Sequence, residues 1–369
     1  MTKVLEHIQS VPPYIPGKPI EDLERELGIT NVIKLASNEN PLGPSPLALE
    51  AIEGALKRLH RYPDGNGTAL RGKLAERWNL DPACLVLGNG SDEIIDLCMR
   101  VFVGLGEEVL VPYPSFLMYE KSAQAVGGRI TRASLKTFGL DLPSMLASVR
   151  PETKLIVVCQ PNNPTGVAIS RADFEWFIGE LPDDVPVLLD EAYADFIRGP
   201  GTFSGREYLD DAPQLLTIRT FSKAYGLAGI RIGYGIGNPE LITRLNQIRS
   251  PFSVNSLAQT AAEAALDDDR HLKRTLELTW EGLDYFYGQM KRLGRPFVPS
   301  QTNFLLIDVG DGKAVYEDLL REGVIVRPMG GYGLPEYIRV NVGVPLENSR
   351  FVESLERVLR TRTESGAST

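Results

Sequence analysis

The chain has 369 residues, 43% hydrophobic and 24% charged, which suits an ordinary globular protein large enough for two domains sharing a cleft. A net charge of −9 excludes a general attraction to nucleic acid or anionic membranes, so an anionic ligand would need locally placed cations and amides. The start at Met1 has no long apolar segment, no 18-residue apolar run occurs, and Cys84, Cys98 and Cys159 form no CxxC pair. Neither secretion nor membrane insertion is expected, and the cysteines read as reduced thiols of a cytoplasmic protein, not disulfides or a metal site.

The first 40 residues read as an irregular arm, because Val11-Pro12-Pro13-Tyr14-Ile15-Pro16-Gly17-Lys18-Pro19 suits neither a regular helix nor a central strand. A helix is predicted over 46–60, a short buried strand over 84–87 and an amphipathic helix over 91–102. Strands follow at 108–111, 155–159, 185–189, 215–219 and 232–236. Continuous apolar runs separated by helices predict a mainly parallel sheet covered on both faces, in a large domain spanning 41–280. The pattern is helical from 240 to 293. Strands at 303–309, 324–326 and 337–340, with helices at 313–322 and 346–359, then make a smaller α+β domain, 281–369. The boundary falls inside or beside a long helix.

Ligands of such sheets sit in crevices beyond the strand ends, and four motifs fall there. Gly88-Asn89-Gly90-Ser91-Asp92-Glu93 joins a strand to a helix, where glycines allow close approach and free N–H groups attract phosphate. The same residues also suit a plain capped turn, with Ser91 as N-cap and Asp92 and Glu93 favouring the helix dipole. Pro161-Asn162-Asn163-Pro164-Thr165-Gly166 is a rigid loop that could hold an amide still, or a simple strand-to-helix turn. Asp190-Glu191-Ala192-Tyr193 places an acid at the end of a buried strand, where it must be paired to stay charged. A structural carboxylate is the alternative; a magnesium-holding aspartate would lack its Walker A partner. The last motif runs from Thr220 to Arg231. In it Lys223 is flanked by the hydroxyls of Thr220 and Ser222 and followed eight positions later by Arg231, instead of lying in a plain solvated stretch.

Together these motifs fit one ligand. A pyridoxal phosphate site needs an amine for the aldehyde, a carboxylate to keep the ring nitrogen protonated, and donors for the phosphate. The amine must be neutral to react, although a free lysine titrates near ~10.4; partial desolvation and nearby cations lower that value.

With Ala36-Ser37-Asn38-Glu39-Asn40-Pro41, Arg61-Tyr62-Pro63, Pro114-Ser115-Phe116-Leu117-Met118-Tyr119 and Arg339-Val340-Asn341-Val342-Gly343, the likeness extends from about Tyr14 to Leu359. Over that span the chain resembles the fold-type-I pyridoxal phosphate aminotransferases, in the branch of the histidinol-phosphate aminotransferases. The resemblance implies an α/β fold with a mainly parallel central sheet in a large domain, a smaller α+β C-terminal domain and an N-terminal arm. It implies Lys223 as the Schiff-base lysine and proton carrier, Asp190 as partner of the pyridinium nitrogen, and Asn163 and Tyr193 as partners of the phenolic oxygen. Gly90, Ser91, Asp92, Thr220, Ser222 and Arg231 would hold the phosphate, and Phe116 would stack on the ring where the family often has tyrosine. Tyr62 would reach the phosphate of a neighbouring subunit, making a homodimer with shared sites. Arg339 would clamp the anionic end of each substrate, with Asn38 and Arg327 as further candidates and Tyr14 as a cover. The implied reaction moves an amino group between glutamate/2-oxoglutarate and histidinol phosphate/imidazole acetol phosphate. Aromatic amino acid transamination suits the same residues. A pyridoxal phosphate lyase such as a threonine-phosphate decarboxylase would share Lys223, Asp190 and Arg231; the intact Lys223 argues against a non-catalytic binding protein.

Overall fold

The structure, a computed structural model, describes residues 3–9, 11–13 and 16–366. Its first extended segment is β1 (Ile33–Lys34). The next seven strands are β2 (Leu85–Gly88), β3 (Glu108–Tyr113), β4 (Arg129–Ser134), β5 (Thr153–Cys159), β6 (Val187–Asp190), β7 (Leu215–Thr220) and β8 (Gly233–Gly237). They form one sheet in the order β2-β8-β7-β6-β5-β3-β4. Every residue of β2, β6, β7 and β8 is buried, the signature of strands covered on both faces. Along β5 the side chains alternate between two cores: Leu155, Val157 and Cys159 pack with helix Ser91–Phe102, whereas Ile156 and Val158 pack with Phe174 and Phe177. Strand β8 runs antiparallel to both its neighbours, while the pairings among β3 to β7 are parallel. Edge strand β4 carries a polar, largely exposed sequence, so no apolar run announced it.

Five strands follow: β9 (Phe297–Val298), β10 (Phe304–Asp308), β11 (Val324–Ile325), β12 (Arg327–Pro328) and β13 (Tyr337–Asn341). Four of them form a second sheet, β12-β13-β10-β9, while β11 pairs in parallel with β1. The small sheet has its own core, including Leu305, Ile307, Val340, Phe351 and Leu355. Helix Asp269–Arg292 enters both cores, through Leu272 and Leu276 in one and Leu283, Phe286 and Met290 in the other.

Two expectations need correction. The first 40 residues are not wholly irregular. Glu6–Gln9 and Ile20–Leu27 are helical, the latter entered from Pro19 and closed by Gly28 in the left-handed region, so proline bounds that helix without forbidding it. The stretch read as continuously helical is three helices, Pro239–Ile248, Ser256–Ala265 and Asp269–Arg292. Each begins at a side-chain cap, Asn238, Asn255 or Asp268, which restarts the chain.

Candidate active site

The C-terminal ends of β5, β6 and β7 and the start of helix Ser91–Phe102 converge on one cleft. Ser91, Asp92, Phe116, Asn163, Asp190, Tyr193, Thr220, Ser222, Lys223 and Arg231 all line it. Glycine is required where the helix meets the sheet: a Cβ on Gly233 would lie 2.9 Å from the Gly90 carbonyl carbon, and one on Gly90 would collide with the Arg231 guanidinium.

Lys223 follows the C-terminal end of β7. Its Nζ donates to the Ser37 carbonyl at 3.3 Å and lies 5.8 Å from the Tyr193 ring centroid. Burial, then the nearby Arg339 cation, pulls its pKa down to about 8, so a useful fraction of the amine is neutral near physiological pH. Asp190 ends β6 and is buried. Its Oδ2 accepts from the Tyr119 hydroxyl at 2.6 Å and its Oδ1 from the Ala192 amide at 2.9 Å. Burial pushes the Asp190 carboxyl up to about 6, against the opposing effect of the Tyr119 bond. Next in sequence, Glu191 is instead paired with Arg219 at 2.9 Å and accepts from the Gly205 amide at 2.6 Å.

At the other end of the cleft, Arg231 adopts a left-handed φ of 60°. Its guanidinium reaches Asp92 Oδ2 at 3.1 Å, the Ala228 carbonyl at 3.1 Å and Ser222 Oγ at 3.4 Å. Helix Ser91–Phe102 starts there without a side-chain cap. The N-cap is Gly90, not Ser91, so the capped-turn reading is wrong and the first amides of this helix are left facing the cleft.

Side chains of the small sheet and of the N-terminal segment bond to residues of this lining. Arg339 on β13 is buried, donates to Asn163 Oδ1 and, at 3.1 Å, to the Ala36 carbonyl, and lies 5.0 Å from the Phe304 ring centroid. Asn38, also buried, donates through Nδ2 to the Tyr193 hydroxyl at 2.8 Å. Arg327 sits directly across from Arg339 in the β12–β13 register.

Residues 30–355 match the family described as aminotransferase class I and II. The chain is a class I and II aminotransferase. It is 45% identical, over 97% of its length and 99% of theirs, to the histidinol-phosphate aminotransferase of Symbiobacterium thermophilum, and 43% identical to that of Moorella thermoacetica over 97% and 93%. The histidinol-phosphate aminotransferase of Sinorhizobium meliloti, solved with pyridoxal-5′-phosphate, superposes with a TM-score of 0.91 at 29% identity, covering 98% of each chain.

Pyridoxal 5′-phosphate is the cofactor of such an aminotransferase, and the donor set here fits it. An uncapped helix start beside Arg231 suits a phosphate; a buried carboxylate held by neutral donors suits a cationic ring nitrogen; a lysine with a depressed pKa suits an aldehyde. Buried polar atoms around the enzyme's cleft point the same way: Asn38 Oδ1 and Arg339 Nε have no hydrogen-bond partner among the described residues.

Tyr62 lies away from the cleft of its own chain, 83% exposed and stacked on Phe252 with centroids 4.8 Å apart. Tyr14 lies outside the described residues. Tyr119 and Cys159 line the aminotransferase cleft and were assigned no role from sequence.

Proposed function

We propose that this enzyme exchanges an amino group between glutamate/2-oxoglutarate and histidinol phosphate/imidazole acetol phosphate, a step of histidine biosynthesis. Relatives bearing that activity in their name, at 43–46% identity along nearly the whole chain, support it. The observation that carries the reading is that Lys223 and Asp190 line one cleft, with the buried Arg339 guanidinium bonded to Asn163 of the same lining.

Bound there, pyridoxal phosphate supplies an aldehyde for the substrate amine and a ring that accepts the electron pair left at Cα. Lys223, its pKa lowered to about 8, would take the proton from the substrate Cα and return it in the same cleft. Asp190 would pair with the ring nitrogen and keep it protonated. Asn163, whose oxygen is turned toward Arg339, offers its Nδ2 to the phenolic oxygen together with the Tyr193 hydroxyl, which Asn38 holds. Amides at Gly90, Ser91 and Asp92, the hydroxyls of Thr220 and Ser222, and Arg231 would hold the phosphate, and Phe116 would stack on the ring. Arg339 clamps the substrate's anionic end: a carboxylate in one half-reaction, a phosphate in the other, each suited to a planar guanidinium fork. Arg327, opposite it, is the second anion contact.

The aminotransferase works as a homodimer in this reading. Tyr62 and Phe252 are both exposed and stacked on each other, an exposed aromatic pair suited to a second copy, whose phosphate Tyr62 would reach. Three free, buried cysteines suit a cytoplasmic enzyme. The reading divides the chain into an N-terminal arm and small-domain segment (1–40), a cofactor domain (41–280) and a small C-terminal domain (281–369), with Leu35 in the small core and one helix shared between the two cores.

The test is a panel of acceptors. Specificity constants should favour imidazole acetol phosphate over aromatic oxo acids; the reverse order would make this an aromatic aminotransferase.

A further inference from the structure

We propose that Tyr119 is a positioning residue of this enzyme: its phenol O–H holds and aims the Asp190 carboxylate at the ring nitrogen of the bound cofactor. The inference rests on the assignment of Asp190 to that nitrogen and goes beyond it in asking what keeps Asp190 a carboxylate.

Asp190 is 4% exposed, and the structure shows it bonded to two neutral donors, the Tyr119 hydroxyl and the Ala192 amide. The acidic groups near it, Asp92 from the helix start and Glu191 beside it, oppose its ionisation. From β5, Cys159 is its register partner, and burial pushes that thiol up to about 12, so it brings no charge. Lys223 and Tyr193 share the cleft. Glu191 has a guanidinium of its own; Asp190 has a phenol. Of its two bonds, only the one from Tyr119 comes from a side chain, and it favours the charged form.

Tyr119 is built for this task. It lies on helix Leu117–Ala125, fully buried, with its ring edge-on to Phe116 at 5.6 Å and 85°, so the hydroxyl direction is fixed by packing. Burial and the neighbouring carboxylate hold its own pKa well above the usual phenol range, so it remains a donor throughout the working pH range. Phe116 lies between helix and cleft, so one short segment supplies both the aromatic against the ring face and the donor behind the ring's acid.

The test compares Tyr119→Phe, Asp190→Asn, the double variant and Ser122→Ala, which removes a buried hydroxyl from the same helix. Tyr119→Phe keeps the buried ring and loses only the donor. In apoenzyme, the Asp190 carboxyl, followed by infrared difference spectroscopy against pH, should titrate higher in Tyr119→Phe than in wild type and be unmoved in Ser122→Ala. In holoenzyme, the first half-reaction should slow roughly 10- to 100-fold, the worth of a hydrogen bond to a charged group, with the glutamate KM nearly unchanged. The double variant should be no slower than Asp190→Asn, because Tyr119 acts through Asp190. An unmoved apoenzyme titration in a Tyr119→Phe protein that folds normally overturns the inference while leaving Asp190 in place. An equal shift in Ser122→Ala makes the effect structural and also overturns it. A fully active Asp190→Asn overturns both it and the reading beneath it.

Discussion

Asp190 and Glu191 are adjacent in sequence and both buried, yet the protein treats them oppositely. Glu191 faces a finished network: Arg219 binds it at 2.9 Å and Asp195 at 2.6 Å, Ser204 and Gly205 donate to the remaining lone pairs, and the guanidinium lies 5.0 Å from the Trp78 ring centroid. Asp190 faces the cleft with neutral donors, and burial shifts its pKa up to about 6. A buried acid with its own cation stabilises a loop; one without awaits a cation from a ligand. The two carboxylates are thus separable by experiment.

The widest break is at Lys223. Lys223→Ala should reduce turnover by at least about 10⁴-fold, since it removes both the attachment point and the proton carrier, while the melting temperature of the apoenzyme holds. Turnover surviving in that variant, or no pyridoxyl adduct on Lys223 after borohydride treatment of the wild type, would sink the assignment. Asp190→Asn comes next, with a loss on the order of 10²–10³-fold in the first half-reaction, read by stopped-flow absorbance. Across the strand end, Glu191→Gln should cost about 1–3 kcal/mol of stability in denaturant titrations, because Arg219 loses one of its two carboxylates and keeps only Asp195, with the chemical rate of folded enzyme preserved. If Glu191→Gln stopped chemistry in a fully folded protein, the contrast between the two acids would fail. Arg339→Ala should lower kcat/KM for both substrates by roughly 10- to 100-fold, the value of charged hydrogen bonds to the anion.

The smallest effect is a pH dependence. The Asp190 carboxyl titrates near 6 in the fold against an ordinary 3.8 unfolded, so wild-type apoenzyme loses stability as pH rises between those values and carries the full penalty above them. Asp190→Asn lacks that group. Its apoenzyme should therefore melt higher than wild type at pH 8, with the advantage shrinking toward pH 4.

Much of this was legible beforehand, for identifiable reasons. Helix Ser91–Phe102 matches its expected span because its apolar side is regular and its start is marked by glycines. The polar edge strand β4 has no such mark, and only the geometry shows that helix Ser91–Phe102 is entered from Gly90, at a positive φ, and is not capped by Ser91. Lys223, Asp190, Asn163 and Arg231 stand at strand ends, where local motifs point. Tyr119 bonds an acid 71 positions away, and Arg339 bonds Asn163 across 176. Contacts of that separation leave no local pattern; a tyrosine on the buried side of a short helix is the nearest thing to a signal.

The segment from Ala36 to Asn40 gives each of several working groups one adjacent position. The Ala36 carbonyl takes Arg339, the Ser37 carbonyl takes Lys223, Asn38 steadies Tyr193, and Asn40 ties down the Ala224 carbonyl beside the lysine. Its length is therefore as constrained as its composition. Adding or deleting a single residue there would shift the substrate clamp, the amine and the phenol out of step together, so efforts to broaden the acceptor range should alter side chains around the cleft and leave this ruler uncut.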